Sequence, residues 1–207
     1  MTDALVWIDC EMTGLDATTD VLVEVAVIVT DAELNVLDPG LDIVIATDPA
    51  NLEGMDEVVR EMHTASGLLT AIAEATTTLE QAEQQALDYI KRWVPDRRKA
   101  PLCGNSIATD RTFITRYMPT LDDHLHYRMI DVSSVKELAR RWYPKAYYNA
   151  PVKDGGHRAL ADIIESVTEL RYYRAAILVP PPGPDTTAAK AAAQAAVVPP
   201  PGAVAPS

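Results

Sequence analysis

The stretch LVWIDCEMTG, residues 5–14, joins an apolar run to two closely spaced acids. Asp9 and Glu11 are two residues apart, so on an extended strand both side chains project from the same face. The apolar residues before Asp9 predict a central strand, where neighbouring carboxylates repel unless a cation, a proton or a basic partner relieves them. No basic residue lies within residues 5–14. A solvated acidic face is one interpretation, and a divalent-metal site with oxygen ligands is the other.

Three extended runs fill the first quarter of the chain. Residues 5–11, 21–29 and 41–46 are rich in Val, Ile and Leu. Turn-forming residues separate the runs at Thr13-Gly14, Asn35 and Pro39-Gly40. This pattern predicts an antiparallel meander at the start of the fold.

The rest of the folded region alternates between helical and extended patterns. Residues 78–94 have apolar side chains at helical spacing, and Thr78 with Gln81 predicts a capping box. Strands are then predicted at 101–103 and 129–132, and helices at 110–117, 135–142 and 157–177. Ser134 and Glu137 are the expected cap of the helix at 135–142. The sequence therefore predicts an α/β domain with a mixed central sheet flanked by helices.

Composition divides the chain into two parts. Residues 180–207 contain more than half of the 15 prolines and almost no large apolar side chain. We predict one folded domain at 1–179 and a disordered tail at 180–207. Within that tail, residues 188–196 can form a transient helix that has no apolar face for docking.

The charge balance limits the kind of partner. The formal net charge is -12, from 18 basic and 30 acidic residues, which argues against a basic groove for long nucleic acid. A nucleic-acid substrate should therefore be short, with divalent cations bound by carboxylates available to contact its phosphates. Only Cys10 and Cys103 are present, and neither a signal peptide nor an apolar run of membrane-spanning length is evident. We expect a soluble cytoplasmic protein with no membrane contact.

Three further residues are candidates for the same site. Asp110 stands near the start of a predicted helix, where its alternative role is to stabilise the helix dipole. His157 and Asp162 form His-x4-Asp, and they lie about 140° apart around a helix, so His157 must act from the helix entrance. Gly155-Gly156 before it predicts a mobile approach. A lone histidine is usually structural, so the interpretation of His157 depends on the acids.

The order of these residues resembles a known superfamily. Asp-x-Glu on the first strand, a third Asp in mid-chain and His-x4-Asp near the end are typical of DEDD exonucleases, and the histidine marks the DEDDh branch. The tyrosine branch would have Tyr where Arg158 stands. Within the DEDDh branch, residues 7–15, 103–110, 126–133 and 157–173 look very like the oligoribonuclease family. The similarity extends over residues 5–177.

The resemblance implies a fold and an activity. The fold would be the RNase H-like exonuclease fold, and the domain at 1–179 would be the catalytic one. The activity would be 3'-to-5' hydrolysis of short 5'-phosphorylated oligoribonucleotides, especially dinucleotides, to nucleoside 5'-monophosphates. Two Mg²⁺ or Mn²⁺ ions would be held by four acids, and His157 would take a proton from water as general base. Those acids are Asp9, Glu11, Asp110 and Asp162.

The resemblance also implies substrate contacts. Leu15 would wedge against a base, and His63 would contact the 3' nucleotide side. Ser106, Arg128 and Ser133 would surround the 5' phosphate. Tyr127 would reach the neighbouring active site of a homodimer. Simpler roles are open for four of them: Leu15 in the core, His63 on a helix surface, Arg128 in a surface ion pair and Ser133 as a helix cap.

One departure from the family and two rival functions remain. The family commonly has a tryptophan a few residues before the helical histidine, whereas this chain has no aromatic at residues 56–60, so Val58 is left outside the predicted site. A proofreading or DNA-trimming DEDDh exonuclease would share the catalytic residues. A non-cleaving adaptor with the same fold would have no need for a repulsive acidic cluster.

Overall fold

A five-stranded mixed sheet forms the centre of the molecule in the computed structural model, which describes residues 3–152 and 156–197. The strand order is β3-β2-β1-β4-β5. Strands β1 to β3 pair antiparallel, while β4 pairs parallel with β1 and with β5. The strands are β1 Leu5–Met12, β2 Leu22–Thr30, β3 Leu41–Val44, β4 Pro101–Gly104 and β5 His126–Asp131. The predicted meander and mixed α/β sheet are both confirmed.

The described ranges contain ten helices. They are α1 Pro49–Glu53, α2 Glu57–Ala65, α3 Leu68–Glu74, α4 Leu79–Trp93, α5 Ala108–Tyr117, α6 Pro119–His124, α7 Val132–Trp142, α8 Pro144–Tyr147, α9 Ala159–Ile177 and α10 Thr186–Ala195. The capping box of Thr78 and Gln81 is confirmed at the start of α4. The cap predicted from Ser134 and Glu137 is wrong, because Asp131 caps α7 by accepting a hydrogen bond from the Ser133 amide. Helix α7 therefore begins three residues earlier than predicted.

Strand β1 is buried on both faces. Val6 and Ile8 belong to a core cluster that includes Ala86 and Ile90 of α4. Trp7 points to the opposite face, where its cluster includes Ile163 of α9, and its indole donates to Thr30 Oγ1 at 3.0 Å. Because side chains alternate along a strand, Asp9 and Glu11 share the face of Trp7. The apolar packing of β1 therefore directs both acids towards the side of the sheet covered by α9.

The carboxyl ends of β1, β4 and β5 meet at one edge, since these three strands run parallel. Gly104 ends β4 where it passes close to β1. A Cβ atom at Gly104 would lie 3.1 Å from the Ile8 carbonyl oxygen and 2.8 Å from Ile107 Cδ1. Glycine is needed for this approach, and it places the residues after β4 beside the end of β1.

The segment after α9 contains a helix within the region predicted to be disordered. Helix α10 has no buried residue, and its amino-terminal cap is Asp185, which accepts from the Ala188 amide. Residues 198–207 lie outside the described residues, so disorder of the tail stays a prediction. In the described part of the chain, no helix combines the length and apolar character needed to cross a membrane.

Candidate active site

Three carboxylates converge where β1 meets α9. One oxygen each from Asp9, Glu11 and Asp162 lies within 4.8 Å of the others, and we call this group the carboxylate cluster. Asp9 and Glu11 come from β1, and Asp162 comes from the first turn of α9. The structure therefore brings together three acids that are up to 153 residues apart in the sequence. Their partly or fully buried positions are unusual for acids.

Asp110 lies beside this cluster. It is the third residue of α5, and it is only 6% exposed. Its Oδ1 accepts a hydrogen bond from the Cys10 amide at 2.9 Å. Cys10 lies between Asp9 and Glu11 on β1, beyond the last residue pair that β1 forms with β4. The end of β4 therefore leaves the Cys10 amide available to fix Asp110 next to the two strand acids.

Burial and neighbouring negative charge raise the pKa values of these acids. Burial, and then the charges of Asp110 and Glu11, raise the pKa of Asp9 to about 9. Burial, and then the charge of Asp162, raise the pKa of Glu11 to about 8. Burial raises the pKa of Asp110 to about 7. A group of ionised carboxylates here needs positive charge beside it, and oxygen donors are the ligands preferred by Mg²⁺ and similar hard cations. The residues therefore fit a divalent-metal centre.

An ion pair between buried Glu24 and partly exposed Arg158 holds the start of α9. Glu24 of β2 is fully buried and pairs in register with Glu11. Arg158 donates to Glu24 Oε1 from Nε at 2.8 Å and from Nη2 at 2.6 Å, and the Ala159 amide donates to Oε2 at 3.1 Å. Sequence reasoning missed this pair. The available signal was an acid within the otherwise apolar run of residues 21–29.

His157 immediately precedes Arg158 and lies two residues before α9 begins. Its side chain is exposed, and its backbone is in the left-handed region with φ of 46°. A non-glycine residue in that region is uncommon and is often found at functional sites. The glycine pair predicted to precede His157 begins at Gly155, which lies outside the described residues.

Two of the three residues predicted to surround a 5' phosphate are in contact. The hydroxyl oxygens of Ser106 and Ser133 are 3.2 Å apart, and Ser106 has a left-handed backbone with φ of 51°. Ser133 is the second residue of α7 and not its cap, so its simpler role as a helix cap is wrong. Arg128 is exposed on β5, with its guanidinium carbon 5.5 Å from the centre of the Tyr127 ring.

The remaining predicted contacts differ in exposure. Leu15 is 80% exposed after β1 and Tyr127 is 73% exposed on the edge strand β5, so a core role for Leu15 is wrong. His63 does lie on helix α2, but it is fully buried and not on the surface. Its Nε2 is 2.8 Å from the Met12 carbonyl oxygen, and its Nδ1 is 3.8 Å from Glu11 Oε2. Val58 is exposed, outside these contacts.

Comparison with known proteins gives close relatives over most of the chain. A family model described as an exonuclease of the RNase T type matches residues 6–170. An oligoribonuclease of Leifsonia xyli is 63% identical over 174 residues, which are 84% of this chain and 84% of that protein. An oligoribonuclease of Streptomyces griseus is 63% identical over 177 residues, covering 86% of this chain and 88% of the relative. One from Mycobacterium tuberculosis is 60% identical over 174 residues, covering 84% and 81%.

Solved structures share the fold at low sequence identity. A structure of exonuclease I without ligand matches with a TM-score of 0.62 and 16% identity, covering 84% of this chain and 42% of that chain. Exonuclease I from Methylocaldum szegediense matches with a TM-score of 0.57 and 18% identity, covering 84% and 41%. This chain thus spans less than half of those proteins, and the likeness concerns the fold alone.

Proposed function

The chain belongs to the exonuclease family and, within it, to the oligoribonucleases, and on this premise we propose that it is a 3'-to-5' exoribonuclease of short RNA. It would hydrolyse oligoribonucleotides, dinucleotides especially, to nucleoside 5'-monophosphates. The observation that supports this most strongly is the identity of 60–64% with oligoribonucleases across 84–86% of the chain. The net charge of -12 agrees with a short substrate, because long RNA is normally bound through many basic residues.

We propose that the carboxylate cluster and Asp110 hold two divalent cations, Mg²⁺ or Mn²⁺. Support comes from the burial of these acids, their mutual repulsion and the all-oxygen donor set. Cations bound there would acidify water and offset the charge that develops on the phosphate. The four acidic side chains would hold these cations at the end of β1. The cations would thereby supply positive charge at the site of a protein whose net charge is negative.

His157 is proposed as the general base. Its exposed side chain stands at the entrance of α9, whose first turn contributes Asp162. A neutral imidazole has one ring nitrogen that accepts a proton, so it can take the proton of the attacking water. The ion pair between Arg158 and Glu24 fixes the backbone directly after His157 and thereby limits where the imidazole can lie. The two residues thus act as positioning residues.

The substrate would be held at both ends. Ser106, Arg128 and Ser133, which we call the phosphate pocket, would bind the 5' phosphate through hydroxyl and guanidinium donors. Leu15 is exposed and available to pack against a base. The proposed contact of His63 with the 3' nucleotide requires the ring to become exposed. A pocket that closes on the 5' phosphate would make the enzyme select its RNA substrates by length, with short fragments preferred.

A homodimer is proposed from the position of Tyr127. This side chain is exposed on β5, the edge strand of the sheet, where a second copy can approach. Tyr127 would then stack or hydrogen-bond in the neighbouring active site, as an isologous interface requires of both copies.

The test is a length series. We would follow 5'-labelled RNAs of two to seven nucleotides, and DNAs of the same lengths, with Mg²⁺ and with a chelator. The expected result is fastest hydrolysis of the RNA dinucleotide and no hydrolysis with the chelator. A flat length profile would contradict the closed pocket, and faster hydrolysis of DNA would favour the rival DNA exonuclease. A clean protein without any metal-dependent hydrolysis would favour the adaptor.

A further inference from the structure

Asn105 connects the phosphate pocket to helix α9. It stands between Gly104 and Ser106, and its side chain is half-buried. Ser133 Oγ donates to Asn105 Oδ1 at 3.1 Å. On its other side, Asn105 Nδ2 donates to Ser166 Oγ at 2.8 Å and to Glu169 Oε2 at 3.2 Å. One amide thus joins the end of β4 to α7 and to α9.

The direction of these hydrogen bonds follows from Glu169. This carboxylate is 4% exposed and lies 3.1 Å from the Lys136 ammonium, which favours its ionised form. An ionised carboxylate only accepts hydrogen bonds, so the Asn105 amide nitrogen must face α9 and its carbonyl must face Ser133. The Ser133 hydroxyl proton is therefore committed to Asn105.

Ser133 in turn holds the backbone of Ser106. The Ser106 amide donates to Ser133 Oγ at 3.0 Å and to Asp131 Oδ1 at 2.9 Å. Asp131 Oδ1 also accepts from the Ser133 amide at 3.1 Å. These contacts fix Ser106 in its left-handed conformation, which costs free energy for a serine. Because the Ser133 proton is committed to Asn105, the Ser106 hydroxyl is the donor in its 3.2 Å contact with Ser133 Oγ, and from there it can rotate to donate to an anion instead.

The same set of bonds continues to the carboxylate cluster. Ser166 Oγ accepts from Asn105 and donates to the Asp162 carbonyl oxygen at 2.8 Å. The backbone of a cluster residue is thereby tied, through two side chains, to the hydroxyl pair of the phosphate pocket. Hydrogen bonds between side chains therefore connect the two regions in addition to the backbone of the sheet.

We propose that Asn105 is a positioning residue that sets the preference of the enzyme for a 5'-phosphorylated substrate. It anchors Ser133 to α9, and Ser133 with Asp131 holds Ser106 so that its hydroxyl meets the phosphate. This inference rests on the proposed function, specifically on the phosphate pocket. Asn105 itself does not need to touch the substrate.

The experiment compares two dinucleotides, pApA and ApA, which differ only in the 5' phosphate. The value of kcat/KM is measured for each with wild type, Asn105→Ala, Ser166→Ala and Thr168→Ala. Thr168 is a matched control, because its hydroxyl donates to the carbonyl four residues back, as Ser166 does, but it is exposed on α9. Thermal unfolding of each variant shows whether it is folded.

Asn105→Ala should lower the pApA-to-ApA ratio by about tenfold, mainly through KM for pApA, because a hydrogen-bonded arrangement facing a charged group is lost. The rate on ApA should stay within about threefold of wild type, because ApA makes no demand on the pocket. Ser166→Ala removes one anchor and should lower the ratio by about threefold. Thr168→Ala should keep the wild-type ratio.

Equal losses on pApA and ApA in Asn105→Ala would mean a general structural role and would overturn the inference. An unchanged ratio in Asn105→Ala, or in Ser166→Ala if the first variant does not fold, would also overturn it. A wild-type enzyme without any preference for pApA would instead remove the phosphate pocket from the proposed function, and this role of Asn105 with it. These outcomes distinguish failure of the inference from failure of its premise.

Discussion

The carboxylate cluster and the phosphate pocket lie at the same edge of the sheet, but their polar groups are satisfied in different ways. In the cluster, acidic side chains face one another, and their burial and mutual repulsion raise the pKa values of Asp9 and Glu11 to about 9 and about 8. Next to the pocket, Asp131 accepts three hydrogen bonds, from the Ser106 and Ser133 amides and the Ser134 hydroxyl. When ionised, the cluster needs an added cation, whereas the polar groups of Ser106 and Ser133 find their partners within the protein.

In the proposed function, this difference would allow an acidic protein to bind a phosphodiester. The cluster concentrates negative charge that attracts cations, and those cations can then contact the phosphate. In the proposed function, the pocket would offer the Ser106 hydroxyl from a backbone already held by Ser133 and Asp131, so that little ordering of Ser106 would be needed when an anion arrives. Substitutions in the two regions should therefore fail in different ways, and the predictions that follow use that contrast.

The largest effect is expected from Asp9→Asn. Losing one carboxylate weakens the hold on divalent cations, which contribute several kcal/mol to stabilising the transition state, so hydrolysis of pApA should fall by at least about a thousandfold. Calorimetry with Mn²⁺ should show weaker or missing binding. Asp38→Asn is the control, since Asp38 is paired with Tyr89 and Trp93 away from the cluster. Retained Mn²⁺ affinity in Asp9→Asn would remove Asp9 from the metal site.

His157→Ala should have the next largest effect, because it removes a base without removing a metal ligand. Turnover of pApA should fall by at least about a hundredfold, as expected for loss of a general base. Mn²⁺ affinity and thermal unfolding should match wild type, since the side chain is exposed. Near-normal turnover would exclude His157 as the base, and a parallel loss of Mn²⁺ affinity would indicate a ligand role instead.

The two regions also differ in how far the sequence predicts them. The sequence identifies the acids of β1, because a spacing of two residues within an apolar run puts both on one face of a strand. It also identifies the capping box at Thr78, which is a local signal that the structure confirms. The ion pair of Glu24 and Arg158 spans 134 residues, so no local pattern contains it. Likewise, the buried ring of His63 finds its partner in the Met12 carbonyl, 51 residues away in the sequence.

The errors in predicting helices have two causes: a long-range contact that decides where α7 begins, and the shortness of some helices. Ser134 and Glu137 have the spacing of a capping box, but Asp131 caps α7 and also holds the Ser106 amide, 25 residues earlier in the chain. That second contact depends on β4 and β5 being neighbours in the sheet, which the sequence alone did not establish. Helices α1 and α3 were not predicted, because segments of five and seven residues contain too few turns to show a helical pattern.

The smallest effect expected is on stability, where the two regions should respond to pH in different ways. Folding raises the pKa values of Asp9, Glu11 and Asp110 to about 9, 8 and 7. Unfolded carboxyls ionise near pH 4, so between roughly pH 5 and 9 the metal-free folded state binds more protons than the unfolded state. Stability must then fall as pH rises. Between pH 5 and pH 8, Tm should fall by at least about 5 °C without metal, and Mg²⁺ should reduce the fall.

Two substitutions, one at Asp9 in the cluster and one at Asp131 next to the pocket, show which region causes the fall in Tm between pH 5 and pH 8. Asp9→Asn should flatten the pH dependence and raise the metal-free Tm at pH 8, because one repelling charge is gone. Asp131→Ala should lower Tm by about 2–4 °C at both pH values, because an N-cap contributes about 1 kcal/mol. Differential scanning calorimetry in a chelating buffer gives both slopes. A metal-free Tm that rises from pH 5 to pH 8 would contradict repulsion between the acids of the folded cluster. An Asp9→Asn variant less stable than wild type at pH 8 would contradict it too. Asp9→Asn is also the variant expected to lose most activity. If the same substitution stabilises the metal-free protein, the repulsion that lowers stability comes from the carboxylate that is needed to bind cations.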